Sequence, residues 1–219
     1  MNYEILYKPS FSLLKVTLSG GESIVAEAGA MVSMSEEVSI KTSAKGGIFG
    51  SLKRSMLGGE SFFMNTFTAT TKGEVMFAPP LPGDIHPIEL NGTIYAQSHA
   101  YIASTEGINI DTKWGGAKTF FSKEGLFLLK ISGKGIVFLS SYGAIHEVEL
   151  QPGQRYTVDT GHIVSFEEGV GYKVKTVGGI KSTLFSGEGL VCELTGPGKI
   201  TIQTRNLSSL LALLPHKSS

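Results

Sequence analysis

Apolar and polar residues alternate in short runs along most of this chain, which is the period of a half-buried strand and not that of a helix. Phe127, Leu129 and Ile131 alternate with their neighbours, and Val137 and Leu139 continue the pattern beyond Ser132-Gly133-Lys134-Gly135. Residues 194–202 have the same form around Gly196-Pro197-Gly198. Glycine and proline supply the backbone angles of tight turns at low cost, so the spacing predicts β-hairpins at both places. No stretch before Leu207 carries a helical apolar stripe. Residues 207–214, LSSLLALL, predict a short C-terminal helix ended by Pro215.

The alternating segments recur. GDIHPIEL at 83–90 returns as GAIHEVEL at 143–150, and the match runs on through IYAQSHAYIA and YTVDTGHIV. A weaker copy, VTLSGGESIVAEAGAMVS, lies at 16–33. After each copy comes an echo (SEEVSI, TEGINI, FEEGV), then a double glycine at Gly46-Gly47, Gly115-Gly116 and Gly178-Gly179. A third block follows each time, with Glu60, Glu124 and Glu188 at matching places beside glycine. Agreements in the same order imply a threefold internal repeat. Each copy reads strand, turn, strand, Gly-Gly, strand, turn, strand.

The expected architecture is therefore all-β. Triplicated β-hairpin or sheet units pack about a pseudo-threefold axis around a shared core, prism-like or like a double-stranded β-helix, because bare strand edges invite aggregation. One compact domain spans 1–219, with copies at about 8–80, 81–141 and 142–206 and a tail at 207–219.

Composition narrows the function classes. With 219 residues, 41% apolar and 17% charged, the chain can bury a sizeable core and is too weakly charged for disorder. Nineteen Lys+Arg balance nineteen Asp+Glu, which argues against broad attraction to nucleic acid or anionic membrane. Glycine, at 28 residues, is nearly twice its usual ~7% share and fits many short strands joined by turns. One cysteine, Cys192, excludes an internal disulfide framework and fits a reducing, cytoplasmic setting. Residues 1–10 lack the pattern of a signal peptide, and no long apolar window predicts a membrane span.

Candidate chemistry is sparse. His86 and His146 hold equivalent places in two copies and read as strand residues packed and bonded to backbone. Glu60, Glu124 and Glu188 read as structural carboxylates that accept N–H bonds at turns. The rival reading makes these recurrent Glu and His residues a metal or acid–base site, but no matched ligand set accompanies them. Asp84, Glu89, Asp111, Glu147 and Asp159 show no paired-carboxylate spacing, and neither a nucleophile elbow nor a phosphate-binding loop is present. No cofactor is expected. Cys192 in an apolar strand reads as a buried, inert thiol.

The first copy carries an insertion, GGIFGSLKRSMLGGESFF at 46–63. Ile48, Phe49, Leu52, Met56 and Leu57 join Lys53 and Arg54 between flexible glycines, and a turn or two of amphipathic helix fits there. Such an element reads either as a loop folded over its own core or as a subunit or protein-partner contact, and less well as a peripheral membrane contact, since two basic residues attract anionic lipid weakly.

The run from Gly46 to Ala69, above all the stretch MLGGESFF at 56–63, together with the recurring Gly-Glu blocks, resembles the mitochondrial-biogenesis family named for altered inheritance of mitochondria. The likeness extends from about Tyr3 to Leu207. It implies a triplicated all-β fold like that of the tryptophan-responsive RNA-binding attenuator proteins, which assemble as rings. It also implies a link, in a fungal relative, to mitochondrial inner-membrane organisation, and it brings no catalytic residues. The leading expectation is a non-enzymatic scaffold or interaction protein acting as a homo-oligomer. The alternatives are a small-ligand- or RNA-binding regulator, and a metal protein or enzyme.

Overall fold

The computed structural model describes residues 1–43, 56–57, 60–61, 63–111, 128–176 and 190–213. These residues form an almost all-β protein with several sheets and one short helix. In the first stretch lie β1 (Asn2–Leu6), β2 (Leu13–Leu18), β3 (Ser23–Glu27), β4 (Met31–Met34), β5 (Val38–Ser43), β6 (Met56–Leu57), β7 (Glu60–Ser61), β8 (Met64–Ala69) and β9 (Gly73–Phe77). The middle stretch has β10 (Ile85–Gln97), β11 (Tyr101–Thr105), β12 (Ile108–Asp111) and β13 (Leu128–Ser140). The last has β14 (Ile145–Leu150), β15 (Arg155–Asp159), β16 (Ile163–Glu167), β17 (Gly171–Thr176), β18 (Leu190–Thr195) and β19 (Gly198–Gln203), then helix α1 (Leu207–Ala212).

The long sheet runs β14-β19-β16-β10-β13-β11-β3-β8-β5, with β12 also on β13. Two smaller sheets run β1-β2-β9-β4 and β15-β18-β17, and β6 pairs β7. All of these strand pairs are antiparallel.

The hairpins expected at the glycine-rich links are not formed. β18 pairs β15 and β17, whereas β19, which follows it, pairs β14 and β16. In the same way β2 pairs β1 and β9, while β3 pairs β8 and β11. The links carry the chain from one sheet to another because each strand has one apolar face to cover. β2 buries Leu14, Val16 and Leu18, β3 buries Ile24 and Ala26, and all five meet in one cluster. Stacking the two strands face to face buries both sets, which a flat hairpin would not do.

The Ser-Gly-Lys-Gly segment departs further, since it lies inside β13, a single strand of 13 residues. Gly133 has φ +125° and faces Gly92, φ +148°, across the ladder. A Cβ at Gly133 would stand 2.2 Å from the Gly107 carbonyl oxygen, so glycine here serves a close backbone approach and not a turn.

Among the described residues, the buried apolar side chains gather in three clusters. The first holds Leu14, Phe67 and Phe77 with Ile102 and Phe138 from the middle stretch. The second joins Tyr101, Leu129, Ile131 and Leu139 to Met64 and Val164, and the third joins Phe166, Leu194 and Ile200 to Tyr95 and Leu128. Every cluster thus borrows side chains from a neighbouring stretch, which ties the stretches together through burial. Phe67 and Phe77 meet edge to face with centroids 5.1 Å apart.

The C-terminal helix is present as Leu207–Ala212. Asn206 caps it, its side-chain oxygen accepting the Ser208 N–H at 2.8 Å.

Candidate functional site

Among the described residues, clefts open where stretches meet, and two of them bear on function. The first is a cleft of about 310 Å³ lined by His86, Ile88, Glu147, Phe166, Glu167 and Lys199, among others. His86 stands near the start of β10 and Glu147 on β14, so the cleft joins the middle and last stretches. His86 Nε2 lies 2.9 Å from Glu147 Oε1, and Lys199 Nζ lies 3.6 Å from Oε2 of the same carboxylate. Glu167 Oε2 accepts the Lys199 backbone N–H at 2.9 Å. Burial pushes the His86 pKa down, and Lys8 and Lys199 push it the same way, while Glu147 and Asp84 oppose them. The imidazole and the carboxylate thus meet across the line between the two stretches, and this polar contact links them.

Beside this cleft, Asp84 is buried. Its Oδ1 accepts the Ser12 hydroxyl at 2.9 Å and the Ile85 N–H at 2.7 Å, and Lys8 Nζ lies 3.5 Å from Oδ2. These bonds tie the first stretch to the middle one.

The second place is an apolar groove of about 300 Å³ beside α1, lined by Pro79, Pro80, Leu81, Tyr142, Leu207 and Leu211 among others. His99 borders it, and His162 Nδ1 bonds the Gln203 carbonyl oxygen at 2.7 Å nearby. Among the described residues, no group of three or more His, Cys, Asp and Glu side chains is placed to hold a metal ion.

The sequence-derived candidates fare unevenly. His86 faces a carboxylate instead of making the expected backbone bond, because the parallel Gly83–Gly143 bridge draws the starts of β10 and β14 together and brings Glu147 within reach. His146 is exposed on β14 instead of packed. The ladders also show what occupies the matching place in the first stretch. His86 faces Leu139 and His146 faces Ile202, as the buried Leu14 faces Phe77. Glu60 lies on the β6–β7 ladder opposite Leu57. Met56 and Leu57 are extended there, so the amphipathic helix does not reach them. The side chains of Met56, Leu57 and Glu60, and all of Ile48, Phe49, Leu52, Lys53, Arg54, Glu124 and Glu188, lie outside the described residues. Cys192 is buried, and burial pushes its thiol up to about 12.

Sequence reasoning set Glu147 aside as a carboxylate without a paired spacing and passed over Lys199. Glu147 follows His146, the repeat counterpart of His86, and a repeat whose copies lie side by side brings such neighbours together. That was the available signal.

Strand edges are the remaining feature. β4 ends its sheet with all four residues exposed, and β15 ends its own sheet. Among the described residues, no helix is long and apolar enough to cross a membrane.

Stacked antiparallel sheets, glycine crossovers and one capped terminal helix define an almost all-β protein, and its joints are built of packing and hydrogen bonds. Residues 3–205 match the mitochondrial biogenesis AIM24 family, and the chain belongs to that family. It is 28% identical over 223 aligned positions to an uncharacterized protein of Streptococcus pyogenes serotype M6, covering 98% of this chain and 90% of that one. It also superposes on the X-ray crystal structure of a Streptococcus pyogenes protein with a TM-score of 0.80 and 28% identity, covering 96% of each chain.

Proposed function

We propose that this chain is a non-enzymatic scaffold that acts as a homo-oligomer, built from three like β units in an attenuator-like fold. The observation that carries the reading is the way stretches join. β16 extends its own sheet through β19 and a neighbour's through β10, and β11 does the same through β13 and β3. Joints of this kind make a rigid β surface by adding strands, and the same geometry accepts further units. What supports three like units is the pairing scheme. β2 pairs β9 and β3 pairs β8 in the first stretch, β14 pairs β19 and β15 pairs β18 in the last, and β10 pairs β13 along both halves in the middle.

A second reading has one observation behind it. The apolar groove beside α1 is large enough for a small ligand, with Tyr142 and Gln203 as polar fixtures. Native mass spectrometry of gently purified protein separates the two. A uniform multiple of the chain mass without added mass fits the scaffold. A monomer carrying a reproducible extra mass, lost when Leu211→Asp is introduced, moves the function to the groove.

A further inference from the structure

The repeated joints leave one set of strands without its counterpart. Met31, Tyr101 and Ile163 face Phe77, Leu139 and Ile202, and each is followed by the same irregularity before Ser33, Ala103 and Ser165 face Met76, Phe138 and Thr201. β4, β11 and β16 are therefore equivalent strands. β11 uses its other edge to pair Ala103, Ser104 and Thr105 with Ala26, Val25 and Ile24 of β3. β16 likewise pairs Ser165, Phe166 and Glu167 with Ala96, Tyr95 and Ile94 of β10. β4 makes no such second pairing among the described residues.

The strand left over on the receiving side is β15. Gln97 and Asp159 each precede a 3₁₀ turn, and Ala96 faces Leu129 as Val158 faces Cys192. β15 is thus the equivalent of β3 and of the second half of β10, and it too ends its sheet.

Exposure follows the missing pairing position by position. Met31, Val32 and Met34 are 37%, 56% and 41% exposed, whereas Tyr101, Ile102 and Ser104, and Ile163, Val164 and Phe166, are all at 2% or less. On the receiving side Tyr156 is 37% exposed, while its counterparts Ile24 and Ile94 are at 0% and 4%. A backbone bond repeats the pattern. The Ser12 N–H donates to the Gly83 carbonyl at 3.0 Å and the Asp84 N–H to that of Gly143 at 3.1 Å, but the Ala144 N–H donates to its own stretch's Thr204 Oγ1.

We infer that β4 of one copy pairs antiparallel with β15 of a second copy, head to tail, in the register Ser33–Val158, Met34–Thr157 and Ser35–Tyr156. The occupant is a second copy because this chain already makes that joint twice, and because its two ends are the two halves of it. An exposed apolar edge strand is a template for such addition. A head-to-tail contact of unlike surfaces closes into a ring or extends as a filament according to its rotation. The inference rests on the homo-oligomer reading and adds the strands and register to it.

The test compares M34E/T157E, which sets like charges opposite each other across the joint, with M34E/T157K, which sets opposite charges there. Self-association of the full chain is followed by sedimentation, with circular dichroism confirming the fold. The like-charged protein is expected to associate at least about tenfold more weakly than the oppositely charged one. Equal association of the two, with wild type assembled, overturns the edge pairing and leaves the oligomer reading standing. A wild-type chain monomeric throughout the micromolar range overturns both. Should the charged variants fail to fold, M34C/T157C under mild oxidant decides the matter. Cross-linked multimers are expected, since facing strand residues lie within disulfide reach. A cross-link wholly within one chain, or none, overturns the proposal.

Discussion

His86 and Glu147, from β10 and β14, meet at 2.9 Å across the joint between the middle and last stretches. The imidazole is held below its ordinary value of 6.5, first by burial and then by Lys8 and Lys199, against the opposing pull of Glu147 and Asp84. The unfolded chain therefore takes up a proton at this residue before the folded one does. Its contribution is full above pH 6.5, falls as pH drops from there through the folded value, and is flat below it. His86→Leu, which installs the residue found at the equivalent Leu14, should flatten that part of the stability curve. Denaturant midpoints measured from pH 7.5 to pH 5 check this, and an unchanged slope would remove His86 as its source.

Glu147→Gln should move the imidazole titration of His86 still lower, because the carboxylate is the main group favouring the charged ring. Proton NMR of the histidine ring signals gives the shift directly. An upward movement would mean that the pair is not formed in solution.

Gly83 and Gly153 make a controlled comparison. A Cβ at Gly83 would fall 1.8 Å from the Ser141 carbonyl oxygen, a backbone atom that cannot swing aside, whereas Gly153 has open space and φ +77°. Gly83→Ala should cost about 3 kcal/mol, against about 1 kcal/mol for Gly153→Ala. Urea unfolding of both variants tests the ranking, and equal losses would contradict the packing described at the Gly83–Gly143 bridge.

That the chain is almost all-β with a short C-terminal helix was legible in the sequence. Alternation along residues 127–139 marks buried positions correctly at Leu129, Ile131, Val137 and Leu139. The glycine links were visible too, but their meaning was not. A Gly-rich link between apolar runs serves a hairpin and a crossover equally well, and the choice depends on which faces must be covered. That is a long-range property, set here by Leu14 and Ile24 meeting in one cluster. The His86–Glu147 pair was hidden for the same reason, since its members meet only when copies lie side by side. Strand edges escaped notice because the exposed Val32 and the buried Ile102 and Val164 are equally apolar in sequence.

Phe67→Ala should destabilise the chain by about 3–5 kcal/mol, since Phe67 is fully buried against Phe77 in the first cluster. Thermal and urea unfolding give the loss, and a cost under about 1 kcal/mol would show that the site collapses around the cavity.

Cys192, with its thiol pushed up to about 12 by burial, should resist a thiol reagent at pH 8 in the native protein and react fully once unfolded. Rapid native labelling would place the thiol at the surface instead of in the third cluster.

Amide hydrogen exchange at two protein concentrations tests the scaffold account most directly. Pairing between copies should slow exchange in Met31–Met34 and Arg155–Asp159 at high concentration and release it on dilution, while Tyr101–Thr105 and Ile163–Glu167 stay protected at both. Exchange at β4 and β15 that is fast and independent of concentration would contradict assembly through these edges.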